Sequence, residues 1–279
     1  MFEFNDIGLG KVMVSLNTLV TSSAKSSALI NSSIEKMSSG KKINSAADNA
    51  AGLAIANRFQ AQGRGYNAGI RNANDGISLL NVADSASSSI QNGLQRLRDL
   101  AIQSSNGILS DQDRSYLELE AQQVKDEISR VLDTTEFNGK KLLSEDQSIN
   151  VQLNGEQDTG LSVNTSSLKA AFESSGFQHL NLSTSNGASS SLSALDGLLN
   201  KTSDARSSFG ASTNRLAASV AQLTNANFNT SASRSRIEDA DFATQIANLS
   251  KAQFQQEASN SLQVQANASQ SQVLSLLLN

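Results

Sequence analysis

The chain has 279 residues and a formal net charge of −4 at pH 7, and only 4% of its residues are aromatic. The acidic balance argues against a nucleic-acid binder, which would present a basic face. The absence of cysteine excludes disulfides, thiolate catalysis and zinc sites with sulfur ligands. Because the chain also lacks proline, the commonest helix breaker, the sequence predicts long helices.

The N-terminal region predicts a long helix over residues 9–37, in which small and apolar residues alternate steps of three and four. Its stripe consists of Leu9, Val12, Leu16, Leu19, Ser23, Ser26, Ile30, Ser33 and Met37. Gly40 is predicted to end this helix, and Ser45 with Asp48 to form the capping pair of the next one. Residues 1–20 carry acids before the first lysine and no long apolar core, so we expect no secretory signal there.

Two apolar stripes follow. The first predicts a helix that stops near Asn106-Gly107, and it contains Leu79, Ala83, Ala86, Ile90, Leu94, Leu97 and Ala101. The second contains Leu117, Ala121, Val124, Ile128 and Val131. We predict that these two helices form an antiparallel pair.

The middle of the chain changes its period to two. Apolar residues alternate at Ile149, Val151 and Leu153, and again at Leu161 and Val163, on either side of the turn-rich NGEQDTG. This pattern predicts a small β-hairpin. Residues 168–191 are serine-rich without a firm period, so both an exposed loop and a short helix remain open.

A heptad stripe returns in the C-terminal half, with Leu192, Leu195, Leu199, Thr202, Arg206, Phe209, Thr213, Leu216, Val220 and Leu223. The sequence predicts a break at NANFNTSASRS, and then a final helix that begins at the capping pair Ser235 and Glu238. Asp239 and Asp241 would lie in its first turn, where negative charge favours the helix dipole.

The final helix carries apolar residues on more than one side. Phe242, Ile246 and Leu249 share a face, whereas a second stripe drifts around the axis through Phe254, Ala258, Leu262 and Ala266. The chain then ends on SQVLSLLLN. A drifting stripe is typical of a helix that is contacted on several sides by different neighbours.

Burying apolar area stabilises by roughly 25 cal/mol per Å², whereas ordering a residue costs about 1–2 kcal/mol of backbone entropy. The serine-interrupted N-terminal stripe and the glutamine-rich C-terminal helix carry too little apolar area to offset this entropy. We therefore expect both termini to fold only on association with each other and with further copies. If each copy contacts the next through two different patches and the contacts do not close into a ring, the copies form a filament. The residues predicted for self-assembly are Leu9, Val12, Leu16, Leu19, Ile30, Met37, Phe242, Ile246, Leu249, Phe254, Leu262, Val273, Leu274 and Leu277.

Six stretches resemble bacterial flagellin, and they occur in the family's order. They are IEKMSSGKKINSAADNAAGLAIANRF, RNANDGISLLNVADSA, LQRLRDLAIQSSNG, FNGKKLL, SRSRIEDADFATQIANLSKAQ and QANASQSQVLSLL. Only about residues 147–190 lie outside this resemblance. It implies a mainly α, elongated antiparallel bundle of long helices with a terminal coiled coil and a small β-hairpin region.

The resemblance also implies a domain order. Residues 1–46 and 239–279 would be the core helices of the coiled coil, 47–146 and 191–238 the two parts of a shaft domain, and 147–190 a short variable lobe. The chain would be a structural subunit that polymerises into the bacterial flagellar filament for motility. No enzymatic activity, cofactor or metal is implied.

Flagellins leave the cell through the flagellar export channel without a cleaved signal peptide, so an extracellular location is expected by resemblance. The implied partners are further copies, an export chaperone, the filament cap and the hook-junction proteins, with neither nucleic acid nor a membrane span. In similar flagellins, toll-like receptors bind the helix whose matching residues here are Arg96, Leu100 and Glu120. We prefer the alternative that these three residues form subunit contacts along the filament.

The sequence contains little that could support catalysis. His179 is the only histidine and no HExxH motif accompanies it, so the metalloprotease variants of the family are not supported. The serines have no nucleophile elbow around them. Glu118 and Glu120 are two residues apart, so they point to different sides of their helix and make a poor acid/base pair.

The sequence leaves three alternative functions. A hook–filament junction protein shares terminal helices of this type, but the dense matches at SGKKINSAADNAAGLAIANRF and SRIEDADFA favour the filament subunit. A surface adhesin would use the lobe at 147–190, where Phe172 and Phe177 are the only aromatic residues that could stack on a sugar. A signalling hairpin should keep its heptads across the tip, and the strand-period segment SINVQLNG argues against it.

Overall fold

The computed structural model describes residues 3–153, 160–165 and 167–277, and it gives only the backbone for 3–16, 273, 274, 276 and 277. The chain divides into two compact units. The terminal unit comprises Met1–Gln60 and Thr230–Asn279, and the central unit comprises Ala61–Asn229.

Six α-helices occur in the described residues. They are α1 (Glu3–Ser39), α2 (Ala46–Ser105), α3 (Asp111–Thr134), α4 (Leu168–Ser174), α5 (Ser185–Glu238) and α6 (Phe242–Leu277). Two antiparallel hairpins pair β1 (Glu136–Phe137) with β2 (Lys140–Lys141) and β3 (Gln147–Gln152) with β4 (Gly160–Thr165). In the part of the chain that the structure covers, no helix combines the length and apolarity that a membrane crossing requires.

The connection between α1 and α2 has the helix end predicted at Gly40, but the start of α2 differs from the prediction. Gly40 follows the last residue of α1 with φ +69°, a conformation that favours glycine, so the predicted helix end is confirmed. Asp48 Oδ2 accepts the Ser45 N–H at 2.9 Å, as the predicted capping pair requires. Asn49 then adopts an extended backbone inside α2, and its Oδ1 accepts the Gly52 N–H at 2.8 Å. The long regular part of α2 is therefore capped by Asn49, a cap that was not predicted from the sequence.

Helices α2 and α3 form the predicted antiparallel pair. Gly93 faces Ile128, whereas Arg114, near the start of α3, donates to the Ser104 carbonyl near the end of α2. The stripe predicted on α2 is buried in the core of the central unit, except for the half-buried Ala86. The periodicity of the sequence correctly identified the packed face of this helix.

Helix α5 contradicts the break predicted at NANFNTSASRS, because it continues through this stretch to Glu238. The segment holds no glycine or proline, so its polar residues weaken the helix without ending it. Ser235 and Glu238 consequently lie in the last turns of α5 rather than at the start of α6. Asp239 follows α5, and only Asp241 lies at the start of α6, where its Oδ1 accepts the Ala243 N–H at 3.0 Å.

The predicted β3–β4 hairpin is confirmed, with Ile149 opposite Val163 and Val151 opposite Leu161. Its turn, at 154–159, lies outside the described residues. The hairpin packs against α2 at Gly69, where an added Cβ would lie 1.6 Å from the Leu153 carbonyl oxygen. Backbone therefore approaches backbone at a position where only glycine fits.

The short β1–β2 hairpin was missed. Asn138 and Gly139 occupy its two-residue turn with φ +49° and +76°. This conformation is the one that the Asn-Gly dipeptide favours between strands, so the dipeptide was an available signal.

The segment 168–191, which the sequence left open, forms α4, a single 3-10 turn at Phe177–His179 and the first residues of α5. It is largely packed, because Leu168, Phe172, Phe177 and Leu182 are all buried. The rings of Phe172 and Phe177 meet edge to face with their centroids 4.9 Å apart. The segment is therefore part of the core of the central unit.

Candidate self-assembly surface

Helices α1 and α6 pair in antiparallel fashion within the terminal unit, through hydrogen bonds between small polar side chains. Gln256 Nε2 donates to Ser23 Oγ at 2.7 Å, and Ser27 Oγ donates to Gln256 Oε1 at 3.1 Å. One turn further on, the hydroxyls of Ser22 and Ser259 lie 3.5 Å apart. The seam between the helices is therefore predominantly polar at this level.

The face of α6 that packs on α1 follows a heptad of mostly small or polar residues. Its buried or half-buried positions are Gln245, Leu249, Ala252, Gln256, Ser259, Gln263, Ala266 and Gln270. On α1 the corresponding positions are Leu19, Ser23, Ser26, Ile30, Ser33 and Met37. The serine-interrupted stripe of α1 thus lies against α6, as its periodicity suggests.

Many large apolar residues of both helices point away from this seam. Four of the residues predicted for self-assembly, Phe242, Ile246, Phe254 and Leu262, are exposed, and the exposed fraction of Phe254 is 73%. Val20, Leu29, Ile34 and Val264, which were not predicted, are exposed in the same way. Exposed apolar surface of this kind marks an interaction site.

The other predicted residues fall into two groups. Leu19, Ile30, Met37 and Leu249 are half-buried in the seam between α1 and α6. The remaining ones belong to α1 and α6, and the structure describes only their backbone and not their side chains: Leu9, Val12, Leu16, Val273, Leu274 and Leu277.

The two connections of the terminal unit are held together by backbone hydrogen bonds. Lys42 N–H donates to the Glu238 carbonyl at 2.7 Å, and Ala240 N–H donates to the Gly40 carbonyl at 2.9 Å. Lys41 also forms an ion pair with Glu238. The connection between α1 and α2 therefore pairs with the connection between α5 and α6.

Carboxylates stabilise both of these connections. The Ser45 N–H lowers the pKa of Asp48, with a further contribution from the Asn44 N–H. The Thr244 hydroxyl, followed by backbone N–H groups, lowers the pKa of Asp241. Hydrogen bonds donated to a carboxylate favour its charged form, so both groups act as ionised caps.

The central unit places the predicted contact residues Arg96, Leu100 and Glu120 in different environments. Arg96 Nε donates to Glu120 Oε1 at 2.9 Å across α2 and α3, and both side chains are accessible. Leu100 is 2% exposed and belongs to the core. Only the Arg96–Glu120 pair therefore presents side chains of this set at the surface.

The groups considered for catalysis do not converge. His179 is exposed, Glu118 Oε2 accepts the Leu182 N–H at 2.5 Å, and Glu120 pairs with Arg96 on another side of α3. The residues that the structure describes hold no cluster of three or more histidine, aspartate or glutamate side chains that could bind a metal ion.

Two buried cations on α3 were missed. Arg114 donates from Nε to the Ser104 carbonyl at 2.9 Å and from Nη2 to the Asn106 carbonyl at 2.8 Å. Lys125 Nζ donates to the Leu180 carbonyl at 2.9 Å and thereby helps to hold the packed 168–191 segment. Both lie in heptad register with the buried Ala121, Ile128 and Leu132, and a charge within an apolar stripe was the available signal.

Comparison with protein-family models finds two matches. The model of the bacterial flagellin N-terminal helical region matches residues 11–148, and that of the bacterial flagellin C-terminal helical region matches residues 192–277. The chain is 36% identical to the flagellin of Halalkalibacterium halodurans over 245 residues, covering 88% of this chain and 90% of the relative. It is 35% identical to the flagellin of Listeria monocytogenes over 260 residues, with coverage of 88% and 90%.

Solved structures are also similar. The crystal structure of Bacillus cereus flagellin superposes with a TM-score of 0.50 at 32% identity, covering 55% of this chain and 88% of that one. A protein described as flagellar hook-associated, from Vibrio parahaemolyticus, superposes with a TM-score of 0.54, covering 69% and 98%. Its identity is 16%, so this second likeness concerns the fold alone.

Proposed function

The chain belongs to the bacterial flagellin family, and from this premise we propose that its terminal helices α1 and α6 complete their folding against neighbouring copies as the filament assembles. The chain is a structural subunit of the extracellular flagellar filament, which serves motility. The observation that carries the proposal is the outward position of large apolar residues of α1 and α6, beside a seam made mostly of small or polar residues.

The seam by itself is a weak source of stability. Helices α1 and α6 contain 37 and 36 residues, and ordering each residue costs about 1–2 kcal/mol of backbone entropy. Serine and glutamine contacts in the seam recover little of this, because a typical hydrogen bond contributes only about 1 kcal/mol net. Burying a large apolar side chain fully contributes about 1.5–3 kcal/mol, so the outward residues are the larger reserve.

Two groups of residues have distinct roles in this proposal. Leu19, Ile30, Met37 and Leu249 hold α1 to α6 within one subunit. The outward residues Phe242, Ile246, Phe254 and Leu262 contact neighbouring subunits. By their place in the sequence pattern, the further apolar residues nearer the two ends join the intersubunit contacts: Leu9, Val12, Leu16, Val273, Leu274 and Leu277.

The domain assignment follows the same reasoning. Residues 1–46 and 239–279 act as the core helices, 47–146 and 191–238 as the shaft, and 147–190 as a short lobe. We assign the accessible Arg96–Glu120 pair to subunit contacts along the filament rather than to a toll-like receptor. Family membership supports export without a cleaved signal peptide, an export chaperone, cap and hook-junction partners, and a non-enzymatic role.

The proposal is tested by replacing one outward side chain. Phe254→Ser removes the most exposed aromatic residue of α6, and Gln253→Ser changes its exposed polar neighbour as a matched control. We expect Phe254→Ser to prevent or strongly slow seeded polymerisation, followed by light scattering and electron microscopy, while the control polymerises normally. Unchanged polymerisation of Phe254→Ser would refute the role of the outward face, and circular dichroism checks that both variants keep the helicity of the central unit.

A further inference from the structure

Four Asn-Gly dipeptides lie within the described residues: Asn92-Gly93, Asn106-Gly107, Asn138-Gly139 and Asn186-Gly187. In such a dipeptide the glycine nitrogen can attack the asparagine Cγ, because glycine has no side chain that would shield it. The reaction requires a glycine N–H that is not held elsewhere and an asparagine side chain folded towards it. The four sites differ in both respects.

Three of the sites are restrained. Gly93 lies inside α2, where its N–H belongs to the helical ladder. Gly187 N–H donates to Thr184 Oγ1 at 3.1 Å. Asn138 and Gly139 are held with positive φ in the tight turn between β1 and β2.

Asn106-Gly107 is different, because it lies in the exposed turn between α2 and α3. No described residue accepts a hydrogen bond from the Gly107 N–H, and an added Cβ at Gly107 would meet nothing within 4 Å. Asn106 Oδ1 accepts the Ile108 N–H at 3.2 Å, which is the hydrogen bond of an Asx turn. This turn folds the asparagine side chain back over the peptide that joins Asn106 to Gly107.

Arg114 acts on the same peptide. The Asn106 carbonyl oxygen accepts from Arg114 Nη2 at 2.8 Å and from the Leu109 N–H at 3.3 Å. Because this carbonyl and the Gly107 N–H belong to one amide, loss of the Gly107 proton places negative charge on that oxygen. Arg114 is 6% exposed, and besides its pair with the exposed Asp111 at 3.2 Å its guanidinium donates to this oxygen and stabilises the anion.

We propose that Asn106 is a site of spontaneous deamidation that the fold promotes through Arg114. The Gly107 nitrogen forms a bond to Asn106 Cγ, the Cγ–Nδ2 bond breaks, and the side-chain amide leaves as ammonia after taking up a proton through solvent. Water then opens the cyclic imide at one of its two carbonyls, which yields aspartate or isoaspartate at position 106. The net reaction consumes one water and releases one ammonia, with no oxidation or reduction.

The product changes the turn in a defined way. Isoaspartate routes the main chain through the former side chain and so adds a methylene group to the connection between α2 and α3. The carbonyl that Arg114 binds then becomes a free carboxylate outside the main chain, so the turn gains a negative charge beside this cation. The inference does not depend on filament formation and can be tested on the unassembled chain.

The test compares deamidation rates in the folded chain and in the same chain unfolded in urea, in mildly alkaline buffer, by peptide mapping with mass spectrometry. In the unfolded chain the Asn-Gly sites share the same local chemistry and should react at similar rates. Folding should slow Asn92, Asn138 and Asn186 by about tenfold or more, since they react only on local opening. Asn106 should react at least as fast folded as unfolded, and slowing of Asn106 by folding would overturn the proposal.

The role of Arg114 is tested by Arg114→Gln, which keeps amide donors but removes the charge. We expect the folded-state rate at Asn106 to fall about tenfold, because a neutral amide donor stabilises the anion less than a charged guanidinium does. Arg130→Gln is the matched control, because Arg130 is an exposed cation on the same helix that pairs with Glu127. An unchanged or faster rate in Arg114→Gln would contradict its role, and if this variant does not fold, Arg114→Met, which also removes the charge, replaces it with the same expected fall.

Discussion

The replacement Gly69→Ala tests the close packing of the β3–β4 hairpin against α2. Helix propensity alone favours alanine over glycine by about 1 kcal/mol at such a position, so local reasoning predicts stabilisation. The structure predicts the opposite. The new Cβ would lie 1.6 Å from the Leu153 carbonyl oxygen and 2.5 Å from its carbonyl carbon, and these backbone atoms cannot rotate aside as a side chain can.

The magnitude follows from the movement that relieves this overlap. Ordinary contact between heavy atoms is near 3.5 Å, so the hairpin must shift by roughly 2 Å. The shift breaks the hydrogen bond that Asn72 Nδ2 donates to the Gln152 carbonyl at 2.9 Å, which contributes about 1 kcal/mol. It also disturbs the packing of the buried Val151, for which overpacked cores lose about 1–3 kcal/mol. After the gain in helix propensity, we expect a net destabilisation of about 2 kcal/mol.

Matched controls are available in α5. Gly197 and Gly210 are exposed, and an added Cβ at either position would meet nothing within 4 Å. Alanine at these positions should stabilise by about 0.5–1 kcal/mol. Urea unfolding followed by circular dichroism measures the midpoint and slope of each variant. The reasoning would be refuted if Gly69→Ala stabilised the protein as the controls do.

Two further predictions concern assembly and acid. Removal of Ser271–Asn279 should abolish polymerisation while circular dichroism retains most of the helicity, and unimpaired filaments would contradict the role of the C-terminal leucines. The Ser110 hydroxyl and N–H lower the pKa of Asp113 below its ordinary value of 3.8, so this group contributes stability above the unfolded-state pKa and loses it as pH falls through the folded-state pKa. Urea unfolding over the acid range should show a weaker pH dependence for Asp113→Asn than for the unmodified chain, and an equal dependence would exclude Asp113 as an acid-sensitive cap.

Several elements could be predicted because their signal is local. The stripe from Leu79 to Ala101 has the helical period, and the alternation from Ile149 to Val163 has the period of a strand. The end of α1 at Gly40 could be predicted because the chain leaves a helix with positive φ, which glycine adopts without steric cost. These predictions required only the geometry of a helix or a strand.

Other boundaries depended on contacts that the sequence does not display. Ser235 and Glu238 have the spacing of a capping pair, but α5 continues through Ser235 and ends at Glu238, whose carbonyl accepts the Lys42 N–H. At Asn49 the cap is local: its extended backbone and its hydrogen bond from the Gly52 N–H move the start of the regular helix beyond the predicted pair. Residues that can cap occur both at helix ends and inside helices, so at the end of α5 the tertiary contact with Lys42, rather than the capping pattern, sets the boundary.

By itself the sequence determined that long helices form and that the terminal helices have apolar residues beyond what one partner could cover. It did not determine which side of α6 meets α1, because apolar residues occur around much of its circumference. The close approach of α1 selects the heptad with Ala252 and Ser259, since small side chains let the two backbones come together. Large side chains such as Phe254 are therefore left facing outward, and this choice of face depends on the size of the facing side chains, which only the packed pair reveals.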